Sequence, residues 1–357
     1  MPDDTPDLPP PLPRRRRFWL FAPFVLLILA MAGWIGAWFF LRGETTRALD
    51  NRLAAEAALG RQWTCPNRTV GGFPFRIEVR CDSLDLQRPD SRLTLGPVTV
   101  LAQVYRPRHI IAHVVGPLRA SDGRTEVEAD WRSLQTSFRT AQEGLQRASL
   151  VVEGPTIRVT GAPPGDLALS AQRLETHLRP NPARGQEGAY DWTLRLAQLA
   201  LPALDTLIGG LEPSDIDLQL TATEARDIRA RPWREELERW RQAGGRLEFS
   251  HAGLAKGGRR IEGKGQFGLD DAHRPQGRAE LAAAGIEGLL GTFIGPRAGA
   301  TAALLGALTG QPVNPDPAPG GGKGRSGLRP LPPLRIEGGR VHVGPLAIPG
   351  VRLAPLY

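Results

Sequence analysis

Cysteine and lysine are scarce in this chain of 357 residues, a second long apolar run is missing, and no G-x-S-x-G nucleophile elbow occurs. Two cysteines cannot build a disulfide-dense scaffold or a four-thiolate zinc site. Lysine stands only at Lys256, Lys264 and Lys323, so 42 of the 45 basic residues are arginine. Those arginines interleave with acids, as in Arg76/Glu78/Arg80 and Arg234-Glu235-Glu236. A surface that tracks phosphates needs unopposed basic clusters, so the net charge of +8 does not imply a nucleic-acid partner. The 23% charged and 41% apolar fractions are those of a globular protein and exclude wholesale disorder.

What is present begins at the N-terminus. Residues Met1 to Pro13 hold six prolines and three aspartates, and residues 1–17 are expected to form an unstructured cytoplasmic tail. Arg14 to Arg17 precede Phe18 to Leu41, a run of 24 residues without a charge. At about 1.5 Å per residue a helix over 18–41 spans a hydrocarbon core of about 30 Å. Trp19 at one end and Trp34 and Trp38 near the other suit the two interfaces. Four arginines before the run place the N-terminus in the cytoplasm. Ala30-Met31-Ala32 resembles a signal-peptide cleavage site, but cleavage there would strand Trp34 to Leu41 as an exposed apolar tail. The expectation is therefore an uncleaved single-pass anchor in the inner membrane, with residues 42–357 in the periplasm. In that oxidising compartment Cys65 and Cys81 are expected to pair, which contributes about 3 kcal/mol in the chain-entropy model.

Beyond the run, residues 42–60 carry helix formers and end at Gly60, which predicts a juxtamembrane helix continuing the anchor. From there the period changes to two. Phe73, Phe75, Ile77, Val79 and Cys81 alternate with Arg76, Glu78 and Arg80, which reads as one half-buried strand with the apolar residues in a covered row. Leu93/Leu95, Val98/Val100, Ile157/Val159, Leu167/Leu169, Leu218/Leu220, Leu247/Phe249 and Val341/Val343 repeat the pattern. Helices are expected at Asp130–Gln142, at Trp233–Gln242 and within Ala282–Leu308, followed by a Pro/Gly linker at 311–327 and a strand pair over Leu334–Ile348. The fold class is mainly β with α (α+β). Residues 61–357 are expected to form a large curved antiparallel sheet with a few covering helices, preceded by one transmembrane helix.

No catalytic constellation emerges. Gly263 to Gly268 has G-x-G-x-x-G spacing but lacks the helix a dinucleotide site requires, so it reads as a hairpin. His109 and His113 lie in a strand-like stretch rather than on a helix that would aim both at a metal. Asp270-Asp271 reads as a solvated turn, and Asn67-Arg68-Thr69 is only a formal glycosylation sequon. No enzyme activity, cofactor or metal is expected.

Trp63-Thr64-Cys65-Pro66, Gly71-Gly72-Phe73-Pro74-Phe75-Arg76 and the following Cys81 resemble the signature of the bacterial family called domain of unknown function 2125. Leu331-Pro332-Pro333-Leu334 and Glu337 to Val341 resemble it too. Gly263 to Leu281 is similar to a pattern in AsmA-like envelope proteins. That second resemblance implies an anchored, curved β-sheet that handles lipid or affects outer-membrane assembly. Neither resemblance brings catalytic residues. The expected function is envelope maintenance, with lipid bound or transferred along an apolar sheet face, for which Leu167, Leu169, Leu218 and Leu220 are the candidate contacts. A non-enzymatic scaffold docking other envelope proteins is the alternative.

Overall fold

The computed structural model describes residues 16–142, 144–162, 165–226, 232–286 and 327–357. Its described residues form three α-helices and twenty-three strands, numbered in chain order. Helix α1 (Arg16–Ala58) is uninterrupted, so the apolar run and the juxtamembrane segment are one rod. Its residues 21–58 include a stretch long and apolar enough to cross a membrane. The apolar side chains there point outward, with Phe24 63% and Leu26 71% exposed. The rod stops at Gly60, whose φ of +76° only glycine adopts freely.

The smaller sheet has seven strands in the order β1 (Gln62–Thr64), β4 (Leu84–Gln87), β5 (Arg92–Leu95), β8 (Leu118–Ser121), β9 (Glu126–Asp130), β12 (Thr156–Thr160) and β13 (Leu167–Ser170). The larger sheet has sixteen. It starts with β2 (Thr69–Gly71), β3 (Arg76–Cys81), β6 (Val98–Gln103), β7 (Arg106–Val114), β10 (Ser133–Ala141), β11 (Gly144–Glu153) and β14 (Arg173–Pro180). It continues through β15 (Tyr190–Leu199), β16 (Ser214–Ala222), β17 (Leu247–Lys256), β18 (Arg259–Leu269) and β19 (Pro275–Ala284). Finally β21 (Leu334–Glu337), β22 (Arg340–Val343) and β23 (Leu346–Arg352) follow, with the short β20 (Arg329–Pro330) also paired to β19. Every pairing named here is antiparallel, which lets one face be apolar and the other polar.

Up to β14 the chain passes repeatedly from one sheet to the other, and three of these crossings carry a Gly-Pro pair: Gly96-Pro97, Gly116-Pro117 and Gly154-Pro155. Proline offers no N–H to a ladder and glycine permits close approach, so the pair redirects a strand without ending it. Backbone bonds close the seam, among them Gly96 N–H to Pro117 O (3.1 Å) and Val115 N–H to Pro97 O (2.9 Å). A Cβ on Gly96 would stand 2.4 Å from the Val115 carbonyl oxygen, so no larger residue fits unless the backbone shifts. From β15 onward the strands stay in the large sheet. Helix α2 (Pro202–Ile208) lies between β15 and β16, and α3 (Trp233–Gln242) between β16 and β17.

Two sequence expectations need correction. Ser133–Ala141 is strand β10, not helix, because Leu134, Thr136 and Phe138 alternate with Gln135, Ser137 and Arg139. The expected strand beginning at Phe73 starts only at Arg76, because Gly72 (φ +101°) and a cis Phe73–Pro74 bond form a turn. Helix α3 has the expected bounds, and Gly263 to Gly268 lies within the β18–β19 hairpin. The C-terminal strand pair is a three-stranded meander. Of the expected helix within 282–308, Ala282–Ala284 belong to β19, while residues 287–308 and most of the 311–327 linker lie outside the described residues.

Candidate functional site

Register decides what the large sheet presents. Ile77, Ala102, Ile110, Phe138, Ala148, Leu178, Trp192, Leu220 and Phe249 are successive cross-strand partners from β3 to β17. Because side chains alternate faces along a strand, this row and its neighbours two residues away share one face. An intervening row contains Thr99, His113, Gln135, Glu175, Arg195 and Asp217 and belongs to the opposite face. There Arg195 pairs with Asp217 at 3.2 Å, and Glu175 accepts from His177 at 2.7 Å. The His177 hydrogen bond, with Arg173 nearby, holds the Glu175 carboxyl below its usual range against the effect of burial.

The apolar face is not fully covered by the described residues. Ile110 is 42%, Phe138 43% and Trp192 41% exposed, while Leu220 in the same row is buried. Most of its few polar groups are satisfied internally, although the buried Ser214 hydroxyl finds no hydrogen-bond partner among the described residues. Trp192 Nε1–H donates to Thr176 Oγ1 at 2.6 Å, and Thr176 Oγ1 donates to the Thr193 carbonyl at 3.0 Å. Thr136 likewise donates to the Ser149 carbonyl at 3.1 Å. The face therefore offers apolar surface with few unsatisfied polar atoms to hold water.

Each end of the face is differently finished. At the β16–β17 end, Ser214 and Lys256 are cross-strand partners on the apolar side and both are buried. The Lys256 ammonium reaches Asp205 of α2 at 2.5 Å and also donates to the Glu212 carbonyl. At the opposite end of those strands, the buried indole of Trp240 donates from Nε1 to the Thr223 carbonyl at 2.7 Å and fixes α3. Beside α3, Glu238 accepts from Arg241 (2.8 Å) and from the Tyr357 hydroxyl (2.9 Å), and these bonds hold its carboxyl far below the usual range.

At the β2–β3 edge the sheet meets α1. Trp38 Nε1–H donates to the Arg76 carbonyl and Trp34 Nε1–H to the Pro74 carbonyl, both at 3.0 Å. Trp38 packs edge-on against Phe73, with ring centroids 5.3 Å apart, and Trp34 lies 6.1 Å from Phe75. Phe73 and Phe75 thus leave the expected covered row; they are 51% and 61% exposed beside the helix. Cys65 and Cys81 form a disulfide, with Cα atoms 5.2 Å apart, joining the end of β1 to the end of β3. Arg68–Asp50 (2.5 Å) and Arg61–Glu56 (2.5 Å) tie the same region to the outer part of α1.

The four leucines singled out from the sequence lie on two different sheets. Leu167 and Leu169 are on β13, and Leu169 lines a cavity of about 540 Å³ with Ile157, Ala200 and Pro202. Leu218 and Leu220 are on β16, and Leu220 lines a separate cavity of about 350 Å³ with Trp192 and Leu178. His109 and His113 are on strand β7, and His109 bonds Ser137 at 2.9 Å. Asp270 caps its own turn through the Ala272 and Arg274 N–H groups, both at 2.9 Å. Among the described residues no group of three or more metal-ligating side chains is found. Sequence reasoning missed the Trp34/Trp38 contacts and the Asp205–Lys256 pair. Lysine's rarity was the available signal for the second.

A family model described as "Uncharacterized protein conserved in bacteria (DUF2125)" matches residues 38–351. The chain belongs to that family. The match begins at Trp38, one of the two residues that join α1 to the β2–β3 turn, so for this DUF2125 protein it takes in both sheets and the Trp38 part of the helix–sheet contact. Neither the curated proteins nor the solved structures contain a match.

Proposed function

We propose that this DUF2125 protein is a non-enzymatic, membrane-anchored protein of the bacterial envelope that binds lipid acyl chains along the apolar face of its large sheet. The supporting observation is the row from Ile77 to Phe249, apolar across nine strands while Ile110, Phe138 and Trp192 stay more than 40% exposed. Covering a large apolar side chain contributes about 1.5–3 kcal/mol, so such a row is costly in water and favourable against hydrocarbon. The row starts beside Trp38 of α1, a helix suited to crossing the inner membrane with the sheets in the periplasm. Lipid could therefore pass between bilayer and sheet without a soluble step.

The test is photo-crosslinking. The full chain is expressed in bacteria fed a diazirine-bearing fatty acid, irradiated, purified and mapped by peptide mass spectrometry. Adducts are expected on β10, β14, β15 and β16 as well as on α1, which serves as the positive control. Adducts confined to α1 would mean that protein covers the face, and the lipid-binding reading would fall.

A further inference from the structure

We propose that the turn Gly72–Arg76 is seated in the lipid leaflet beside α1, as a second membrane contact that fixes the β2–β3 edge of the large sheet at the bilayer surface. The proposal rests on α1 spanning the membrane, and three observations carry it. First, the turn touches α1 inside the charge-free run, not beyond it. Trp34 and Trp38 precede Arg42, the first charge, by eight and four residues. At about 1.5 Å of rise per residue, Trp34 lies roughly 12 Å into the apolar run. The backbone carbonyl it bonds, that of Pro74, shares that depth.

Second, the turn carries apolar side chains that face away from the protein. Phe73 and Phe75 remain 51% and 61% exposed although each contacts an indole, and the helix beside them is equally bare, with Ile35 40% and Phe39 55% exposed. The patch is thus continuous with the spanning surface of α1, and lipid is the one occupant that covers both. Third, the polar groups of the turn are arranged for such a place. The Pro74 and Arg76 carbonyls, which would otherwise be desolvated, accept the two indole N–H groups. The Arg76 and Arg80 side chains, 54% and 63% exposed and both paired with Glu78, follow at the level where headgroups would lie. A soluble role for an exposed Phe-Pro-Phe turn would leave the same apolar area in water.

Spin labelling tests this on the full chain reconstituted into phosphatidylcholine–phosphatidylglycerol vesicles. Single variants Phe75→Cys and Phe73→Cys receive a nitroxide while Cys65 and Cys81 remain paired. Leu27→Cys in α1 and Leu211→Cys, at a residue 90% exposed between α2 and β16, give the lipid and water references. The accessibility of label 75 to oxygen relative to a water-soluble nickel chelate should shift from the Leu211 value toward the Leu27 value. Label 73 should shift the same way, and either label suffices if one variant does not fold. Labels 73 and 75 reading as Leu211 while label 27 reads as lipid would overturn this proposal alone. A label at 27 that reads as water would overturn the anchor itself, and the proposal with it.

Discussion

Residues 62–180 and residues 190–352 contain the same kind of sequence, short apolar–polar alternations between turns, yet they build differently. The first region folds each long strand across a seam and distributes it over two sheets, whereas the second keeps its strands in one sheet. The first is held to α1 by two indole hydrogen bonds and ion pairs, and is cross-linked within itself by the Cys65–Cys81 disulfide. The second is finished by α2 and α3 through the Lys256–Asp205 pair and the Trp240 indole. Alternation therefore sets which side chains share a face, but the residues interrupting it set how many sheets result. The first region carries a covalent cross-link, whereas the second relies on the buried Lys256–Asp205 pair.

The largest effect that would separate the two regions is expected at Asp205. Asp205→Ala leaves the buried Lys256 ammonium without its carboxylate, and breaking a buried pair costs about 3–5 kcal/mol. Hydrogen exchange should show β16 and β17 opening while β3 and β6 stay protected; uniform opening would mean the regions unfold as one. Next, Cys81→Ser removes a link between residues 16 apart in sequence, worth about 3 kcal/mol in the chain-entropy model. Denaturant melts should place that loss in the 62–180 region, and an unchanged midpoint would refute the covalent half of the contrast.

Gly96→Ala forces a methyl against the Val115 carbonyl and should cost about 1–3 kcal/mol, whereas Gly258→Ala, in open space within the single-sheet region, should cost clearly less. Equal costs would remove the special standing of the seam. The smallest effect concerns pH. Burial, then the hydrogen bond to Glu238, raises the Tyr357 hydroxyl above its ordinary value of 10. A raised folded-state pKa stabilises below the unfolded value and is lost as pH rises through the folded one, so α3 and the Tyr357 contact should loosen above about pH 10. Glu238 has the opposite sign: its depressed pKa stabilises above the ordinary carboxylate range and is lost in acid. Tyr357→Phe should abolish the alkaline arm and leave the acid arm, followed by fluorescence of Trp233, which packs edge-on against Tyr357.

Much of this was legible in the residues. The uninterrupted rod, the helix at Trp233–Gln242 and the hairpin at Gly263 follow from local pattern, since periodicity reports which face is apolar without knowledge of neighbours. Phe73 and Phe75 misled because they keep the parity of Ile77 and Val79, while Gly72 and Pro74 turn the backbone before the ladder begins. The Gly-Pro pairs at 96, 116 and 154 carry no local mark of the two-sheet seam, because a proline missing from the ladder is the same locally whether the chain turns back or bends onward. Asp130–Gln142 is followed by Gly144, which suits a helix stop and a hairpin turn equally, and its alternation through Leu134, Thr136 and Phe138 carried the true assignment.

The sequence by itself determined the apolar span, the preponderance of strands, the side of each strand that is apolar and the family. The first three are properties of composition or of a period shorter than one element, and the family follows from the motif resemblance around Trp63–Cys81 and the family-model match. Only the tertiary structure decided that Ile77, Phe138, Trp192 and Phe249 fall in one row, that Lys256 meets Asp205, and that Trp34 and Trp38 receive the Phe-Pro-Phe turn. Those relations depend on register between strands far apart in the chain, where a shift of one residue would send every side chain to the other face.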